Sequence, residues 1–295
     1  SMGVIAWLGG APRDPNDPPD LTPGLTVENI KRRVNLSWKL ASGGWTYNVL
    51  RSTTETGPFQ PVATGLERTQ FTEGNLEFGQ RYFYRVVALN RNGVVGLLSA
   101  PVSIQPVDDT LLLPWKGTDI GDVGAEGSDG FLNDAFTLRG SGGDVWGNAD
   151  AFHYVYQPVE GNWTMVVHIA SQDGANEWAK AGLMVRERVD AGATDVFVFR
   201  APGHGIVMQH RSDTGGGTDG TGALEGFGGG PWLRLSRRGD VFTSSVSKDG
   251  GQTWTEVGSI TVSMPRAALV GMAVTSHSHG AMNRTVFDHV RVTAD

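Results

Sequence analysis

The sequence predicts an all-β protein built from two β-sandwich domains. Apolar and polar residues alternate along much of the chain, which is the period of a strand with one buried face. The 42 glycines among 295 residues supply many turns, and no convincing helical pattern follows Trp115. The length fits about two domains, and 39% hydrophobic residues are enough to form a core in each.

Composition excludes several classes of protein. The chain has no cysteine, which rules out disulfides, cysteine nucleophiles and cysteine metal ligands. No run of about 18 apolar residues is present, so no membrane-spanning helix is predicted. Residues 107–295 carry 14 basic and 23 acidic residues, a net charge of −9, whereas a nucleic-acid-binding domain needs a basic surface. We expect a monomer with no nucleic-acid partner and no membrane span.

Two segments have the composition of linkers. Residues 1–24 are expected to combine a tag remnant, Ser1-Met2-Gly3, with a Pro/Asp-rich stretch that has five prolines between residues 11 and 24. Residues 107–114 form a second linker. The predicted domains therefore span 25–106 and 115–295.

Residues 25–106 show clear strand alternation. Val34, Leu36 and Trp38 lie on one face of a strand, and Tyr82, Tyr84, Val86 and Ala88 form a similar stripe. This domain resembles a fibronectin type III domain, an Ig-like sandwich. Trp38 matches the buried tryptophan of that family, and Leu76 followed by Tyr82 matches its tyrosine corner. In bacteria such domains are often spacers in polymer-degrading enzymes, and the resemblance implies that role here.

Residues 115–295 continue the alternation between glycine-rich turns, which predicts a large two-sheet sandwich. This domain resembles the bacterial concanavalin A-like jelly-roll domains of secreted glycan-active proteins. The resemblance rests on Gly143-Asp144-Val145-Trp146-Gly147, on Asp150-Ala151-Phe152-His153, on residues 178–187, on residues 274–277 and on Phe287-Asp288-His289-Val290. It implies an extracellular or cell-surface location, while the fold itself is shared by lectins, glycosidases and spacers.

The strand at 178–187 is the most informative segment. Successive strand residues point to opposite faces, so Ala179, Ala181, Leu183 and Val185 form a core stripe. Trp178, Lys180 and Arg186 then lie on the other face. Aromatic rings and planar cationic groups suit a binding surface.

Neighbouring strands extend this face. By the same parity, Gln209 and Arg211 share one face of their strand, and His277 lies at the end of another. We expect these residues to line a concave surface that binds carbohydrate, because ligand sites are concave with a few convergent polar groups. Trp146 and His153 are expected at its rim, and the two arginines and one lysine suggest an anionic glycan.

A structural calcium ion is the one metal that the sequence suggests, and no cofactor is required. Sandwich modules that bind sugars often carry calcium between their terminal strands. Asp119 and Asp288 lie near the two ends of the domain, and calcium prefers oxygen ligands. The alternative is that these aspartates cap turns.

Catalytic motifs are not found. Glycosidases need two carboxylates about 5–10 Å apart, and the strand spacings typical of this fold class are missing. No Gly-x-Ser-x-Gly nucleophile elbow occurs. We therefore predict a non-catalytic carbohydrate-binding accessory region. A spacer or adhesion module without a ligand is the first alternative, and a glycoside hydrolase or lyase is the second.

Overall fold

The computed structural model of the chain confirms the all-β class. Over the residues that it describes, the structure contains 21 strands and no helix. It follows that no helix in this part of the chain is long and apolar enough to cross a membrane. The described residues are 14–30, 33–174, 176–227 and 229–294.

The chain divides into two compact units, Ser1–Asp108 (unit 1) and Asp109–Asp295 (unit 2). The division falls within the predicted linker at 107–114. The predicted tag remnant at residues 1–3 lies outside the described residues. Each unit has buried residues of its own, so each is described separately.

Unit 1 is a sandwich of two antiparallel sheets, in the strand orders β1-β2-β5 and β4-β3-β6-β7. Its core contains Leu36, Trp38, Tyr47 and Tyr84. The apolar residues of the predicted alternation therefore point into the core. The Tyr82 hydroxyl accepts a hydrogen bond from the Glu77 backbone N–H at 3.2 Å, which is the predicted tyrosine corner. The strands are β1 (Thr26–Ile30), β2 (Arg33–Ser37), β3 (Thr46–Ser52), β4 (Gln60–Leu66), β5 (Gln70–Glu73), β6 (Tyr82–Leu89) and β7 (Val102–Ile104).

Unit 2 is a larger sandwich. Its strands are β8 (Lys116–Ile120), β9 (Ser128–Leu132), β10 (Ala135–Gly142), β11 (Phe152–Glu160), β12 (Trp163–Gln172), β13 (Lys180–Arg186), β14 (Asp195–Ala201), β15 (Gly205–Arg211), β16 (Asp219–Leu224), β17 (Trp232–Arg238), β18 (Val241–Ser247), β19 (Thr255–Thr261), β20 (Ala267–Thr275) and β21 (Ser278–Ala294).

The strands of unit 2 form two seven-stranded antiparallel sheets. The front sheet has the order β16-β15-β14-β13-β20-β11-β8, and the back sheet has the order β19-β18-β17-β12-β21-β10-β9. The main core lies between them, with Leu183 and Val198 from the front sheet and Met165 and Phe287 from the back sheet. A two-sheet sandwich is thus confirmed, and its narrower assignment to the concanavalin A-like class stays a prediction.

The outer face of the front sheet, which points away from the main core, carries a second apolar cluster. Tyr154, Met184, Phe197 and Phe199 are fully buried there together with Val145, which is not part of any strand. A sheet face that points away from the core is normally exposed, so the burial of this one requires a cover. That cover decides where a ligand can bind.

Candidate functional site

The residues between β10 and β11 cover the outer face of the front sheet. We call residues 143–151 the covering segment. Its Val145 is fully buried among the aromatic side chains of β11 and β14. The Val145 carbonyl accepts hydrogen bonds from Lys180 Nζ at 3.0 Å and from Gln209 Nε2 at 2.6 Å. The covering segment is therefore bound to the sheet by polar contacts as well as by apolar packing.

A buried ionic network lies beneath the covering segment. Asp150 accepts hydrogen bonds from Arg186 Nη1 at 2.7 Å and, with its other oxygen, from Arg211 Nη2 at 2.6 Å. Asp195 Oδ2 lies 3.0 Å from Arg211 Nη1 and 3.4 Å from Arg186 Nη1. All four side chains are fully buried. Two cations and two anions balance one another, which is how buried charges are tolerated.

Burial also changes the proton affinity of this network. Removal from water raises the pKa of Asp195, while Arg186 and Arg211 act in the opposite direction. Burial lowers the pKa of Lys180, and the nearby carboxylate of Asp144 partly offsets this effect. Lys180 Nζ lies 2.7 Å from Asp144 Oδ1 and 3.2 Å from Gln209 Oε1.

The predicted sugar-binding role of four residues is therefore wrong. Strand parity correctly placed Lys180, Arg186, Gln209 and Arg211 on the outer face, but they are 2%, 0%, 1% and 0% exposed. The covering segment accepts hydrogen bonds from all four side chains, through the Val145 carbonyl and the Asp150 carboxylate. The suggestion of an anionic glycan loses its basis, because its three cations are paired with aspartates.

A sequence signal for this network existed. Arg186 lies directly opposite Asp195 in the pairing of β13 with β14, and Asp195 lies opposite Arg211 in the pairing of β14 with β15. Arg186, Asp195 and Arg211 thus lie side by side on three adjacent strands, with the aspartate between the two arginines. This order indicates ion pairs between neighbouring strands, since directly opposite side chains interact.

His153 is also a structural residue and not a rim contact. It is 1% exposed, and its ring bridges the front-sheet Asp119 to the back-sheet Asp129. Its Nδ1 lies 2.7 Å from Asp119 Oδ1, and its Nε2 lies 3.0 Å from Asp129 Oδ2. Burial acts to lower the pKa of His153, but the two carboxylates outweigh it and leave this pKa raised.

The aspartates expected to share a calcium ion are not brought together. Asp119 lies in β8 of the front sheet with His153. Asp288 lies in β21 of the back sheet, with His168 and His289. The predicted calcium ion lies between the terminal strands of the domain, but β8 and β21 belong to different sheets.

Three of the predicted residues, Trp146, Trp178 and His277, are accessible at the surface. Trp146 is 50% exposed, and Lys180 Nζ lies beneath its ring at 5.7 Å from the centroid. Asp144 Oδ2 lies 3.4 Å from His277 Nδ1. Trp178 stacks on His204 with ring centroids 3.4 Å apart. We call these five accessible residues the Trp146 surface: Asp144, Trp146, Trp178, His204 and His277.

Backbone contacts hold the Trp146 surface together. The Asn176 side chain donates to the His277 carbonyl at 3.3 Å and accepts from the Trp178 N–H at 2.8 Å. His277 has a φ of 54°, a left-handed conformation that is uncommon for residues other than glycine. Such backbone strain is often retained at functional sites. Asp144 and His204 were not predicted as carbohydrate contacts, although Asp144 lies within the motif at residues 143–147.

Comparison with known proteins gives partial similarities only. No protein-family model matches the chain. It is 30% identical over 75 residues to an amylopullulanase of Thermoanaerobacterium thermosulfurigenes, which is 25% of this chain and 4% of that protein. An amylopullulanase of Thermoanaerobacter thermohydrosulfuricus is 30% identical over 85 residues, 29% of this chain and 6% of that protein. The chain thus spans less than a tenth of the length of these relatives.

Solved structures give similarities of the same kind. An Fn3-like protein from Clostridium thermocellum is 34% identical and covers 31% of this chain and 94% of its own, with a TM-score of 0.28. A functionally unknown protein from Saccharomyces cerevisiae is 21% identical over 57% of this chain and 92% of its own, with a TM-score of 0.48. The GH43 BlXynB protein from Bacillus licheniformis is 12% identical over 100% of this chain and 68% of its own, with a TM-score of 0.44. The class that the fold defines is an all-β protein of two antiparallel β-sandwich units, and an Fn3-like protein is among the solved structures to which it is similar.

Proposed function

We propose that unit 2 binds carbohydrate at the Trp146 surface and that it does so without catalysis. The observation that carries this proposal is the half-exposed indole of Trp146, fixed over a buried lysine beside Asp144 and His277. The similarity of part of the chain to amylopullulanases supports carbohydrate as the class of ligand. The same proposal puts the protein outside the cell or at its surface, where polysaccharides are encountered.

Trp146 would supply the stacking platform. The flat C–H face of a sugar ring packs against an indole, which offers a large apolar area at little cost in conformational entropy. Lys180, beneath the ring, and the covering segment hold Trp146 in place before a ligand arrives. Trp178 is a weaker platform, because His204 already occupies one face of its ring.

Asp144 and His277 would supply polar contacts. Asp144 accepts from Lys180, and one of its oxygens lies near His277 Nδ1, which has no hydrogen-bond partner of good geometry. A carboxylate and an imidazole suit sugar hydroxyls, which both donate and accept. The positive charge of Lys180 is paired with Asp144, so this lysine gives the surface no net attraction for an anionic glycan. The proposed ligand is therefore a neutral polysaccharide.

The proposed absence of catalysis rests on the surroundings of the carboxylates at this surface. Glycoside hydrolysis needs one carboxyl group that donates a proton and a second on the other side of the scissile bond. Asp144 is already engaged in an ion pair, because its Oδ1 lies 2.7 Å from Lys180 Nζ. The side chains of Asp150 and Asp195 are fully buried, so a polysaccharide cannot reach them.

Affinity electrophoresis through gels that contain pullulan, starch, xylan or polygalacturonate tests the proposal. We expect a neutral polysaccharide to retard the protein, and Trp146→Ala to weaken that binding about tenfold or more, as loss of a central aromatic contact does. The matched control is Trp45→Ala, because Trp45 is 49% exposed but lies in unit 1.

Each other result has a defined meaning. Equal retardation of the wild type and Trp146→Ala would place the binding elsewhere. Absence of retardation in every gel would favour the spacer alternative. Release of reducing sugar from any of these polysaccharides would contradict the non-catalytic part of the proposal.

A further inference from the structure

Two histidines and an aspartate meet on the outer face of the back sheet in unit 2. Asp288 Oδ1 lies 2.6 Å from His168 Nδ1 and 2.9 Å from His289 Nδ1. One possible ligand atom from each of the three side chains lies within 4.8 Å of the other two. The neighbouring Ile169 and Phe287 point into the main core, so His168 and Asp288 point away from it.

The backbone is irregular where these side chains meet. His168 lies opposite Asp288 in the pairing of β12 with β21, and the register shifts between Val166 and His168. His289 has a φ of 51°, which is unfavourable for a residue with a side chain. Bulges of this kind redirect side chains and are common beside functional sites. Here the irregularity lets the consecutive residues Asp288 and His289 both place their side chains beside His168.

Trp232 fixes both imidazole rings. It lies opposite His168 in the pairing of β12 with β17, and its ring stacks on His168 with centroids 5.2 Å apart. The same indole lies 4.8 Å from the His289 ring. A Cβ atom at Gly230 would come within 2.9 Å of His168 Nε2, so the backbone approaches this ring closely. The close backbone at this glycine and the indole hold Nδ1 of His168 towards Asp288.

We propose that His168, Asp288 and His289 bind one divalent transition-metal ion, such as Zn²⁺, through two imidazole nitrogens and one carboxylate oxygen. Ligand atoms about 2.0–2.1 Å from a tetrahedral zinc ion lie about 3.3 Å from one another. Small side-chain rotations would bring the three ligand atoms from their present separations to that spacing. Two nitrogen donors suit zinc, whereas calcium prefers oxygen ligands.

The site is reachable from solvent. The side chains of His168, Asp288 and His289 are 24%, 30% and 53% exposed. Asp288 and His289 also line a cavity of about 580 Å³, together with Trp115, Asp134 and Arg291. An ion with three protein ligands would keep its remaining position for solvent. This site is separate from the Trp146 surface and does not depend on the proposed function.

Calorimetric titration of the full chain with ZnCl₂, after treatment with a chelator, tests the proposal. We expect one zinc ion per chain. His168→Gln and His289→Gln should each weaken binding about tenfold or more, because loss of a ligand costs at least as much as loss of a residue that only orients one. Co²⁺ in place of zinc should give the intense visible absorption of a tetrahedral site, and both variants should lose it.

His279→Gln is the matched control. His279 is 59% exposed, and its Nε2 lies 3.2 Å from Asp122 Oδ1. These two residues form a histidine–aspartate pair without the second histidine of the proposed site. We expect this variant to bind zinc as the wild type does. The proposal is overturned if the wild type binds no stoichiometric zinc, if His289→Gln retains full affinity while folded, or if His279→Gln loses as much affinity. Equal binding of CaCl₂ at this site would contradict the assignment to a transition metal.

Discussion

At the residue scale, Asp150 is the central acceptor of the buried network in unit 2. Both of its oxygens accept from guanidinium groups, at distances of 2.6–2.7 Å. Asp195 uses one oxygen for Arg186 and Arg211, while its Oδ1 has no hydrogen-bond partner. The two aspartates contact the same arginines, but they are not equivalent.

We therefore predict different costs for two isosteric substitutions. Asp150→Asn should lower the free energy of unfolding by about 3–5 kcal/mol, because it leaves two buried guanidinium groups poorly compensated. Asp195→Asn should cost less than about 2 kcal/mol, because the amide oxygen keeps the acceptor role and the Oδ1 atom that the amide group replaces has no hydrogen bond to lose. Urea denaturation measures both values. Equal losses would mean that the two carboxylates carry equal parts of the network.

His153 predicts a pH dependence of stability. Its pKa in the folded protein is raised above the usual value of about 6.5 by Asp119 and Asp129. A raised folded-state pKa means that the stabilisation is complete below about pH 6.5 and is lost as pH rises through the folded value. The difference in unfolding free energy between the wild type and His153→Asn should therefore be larger at pH 6 than at pH 9.

Asp129→Asn provides the check on this cause. It removes one of the two carboxylates that bind the imidazole, so the pH dependence assigned to His153 should become weaker. A pH profile in Asp129→Asn as steep as that of the wild type would show that another group is responsible.

At the element scale, close backbone approach restricts strand β13. A side chain at Gly182 would lie 2.1 Å from the Val198 carbonyl oxygen on the neighbouring strand β14. We predict that Gly182→Ala lowers the unfolding free energy by about 1–3 kcal/mol, as overpacking does. In the covering segment, Gly143 has open space around its Cα, so Gly143→Ala should stay within about 0.5 kcal/mol of the wild type. Similar unfolding midpoints for both variants would contradict the packing described for β13.

One segment is more regular than its composition indicates. Residues 212–231 contain nine glycines, a composition that predicts a long irregular loop. The structure places six of these residues in β16, at the edge of the front sheet next to β15. Backbone hydrogen bonds to an existing strand do not require side chains with a strand preference, so composition alone could not reveal it.

At the scale of the whole molecule, the two units have separate cores. Val49 and Tyr84 are buried in unit 1, while Leu183 and Phe287 are buried in unit 2. We predict two calorimetric unfolding transitions, because each core can be lost on its own. Val49→Ala should lower only one transition temperature, and Asp150→Asn should lower only the other. A single transition that moves with both substitutions would contradict this view.

The sequence by itself determined the fold class, the two sandwiches and the face on which most strand residues lie. Alternation fixes which side of a strand a residue occupies, because the side-chain period is two and depends only on local geometry. Leu183 and Val185 point into the core, and Lys180 and Arg186 point away from it, as the pattern indicates. The tyrosine corner of unit 1 follows equally from local spacing, because Tyr82 binds the backbone only five residues away.

The tertiary structure alone decided what lies over each face. The covering segment follows β10 in the back sheet and precedes β11 in the front sheet, so its position depends on long-range packing that no local pattern encodes. It buries the row of cations that was predicted to bind sugar and leaves Trp146 half-exposed at the candidate site. The meeting of His168 with Asp288, 120 residues apart in sequence, is likewise fixed by the pairing of β12 with β21. Parity is a property of one strand, whereas exposure depends on every segment that packs against it.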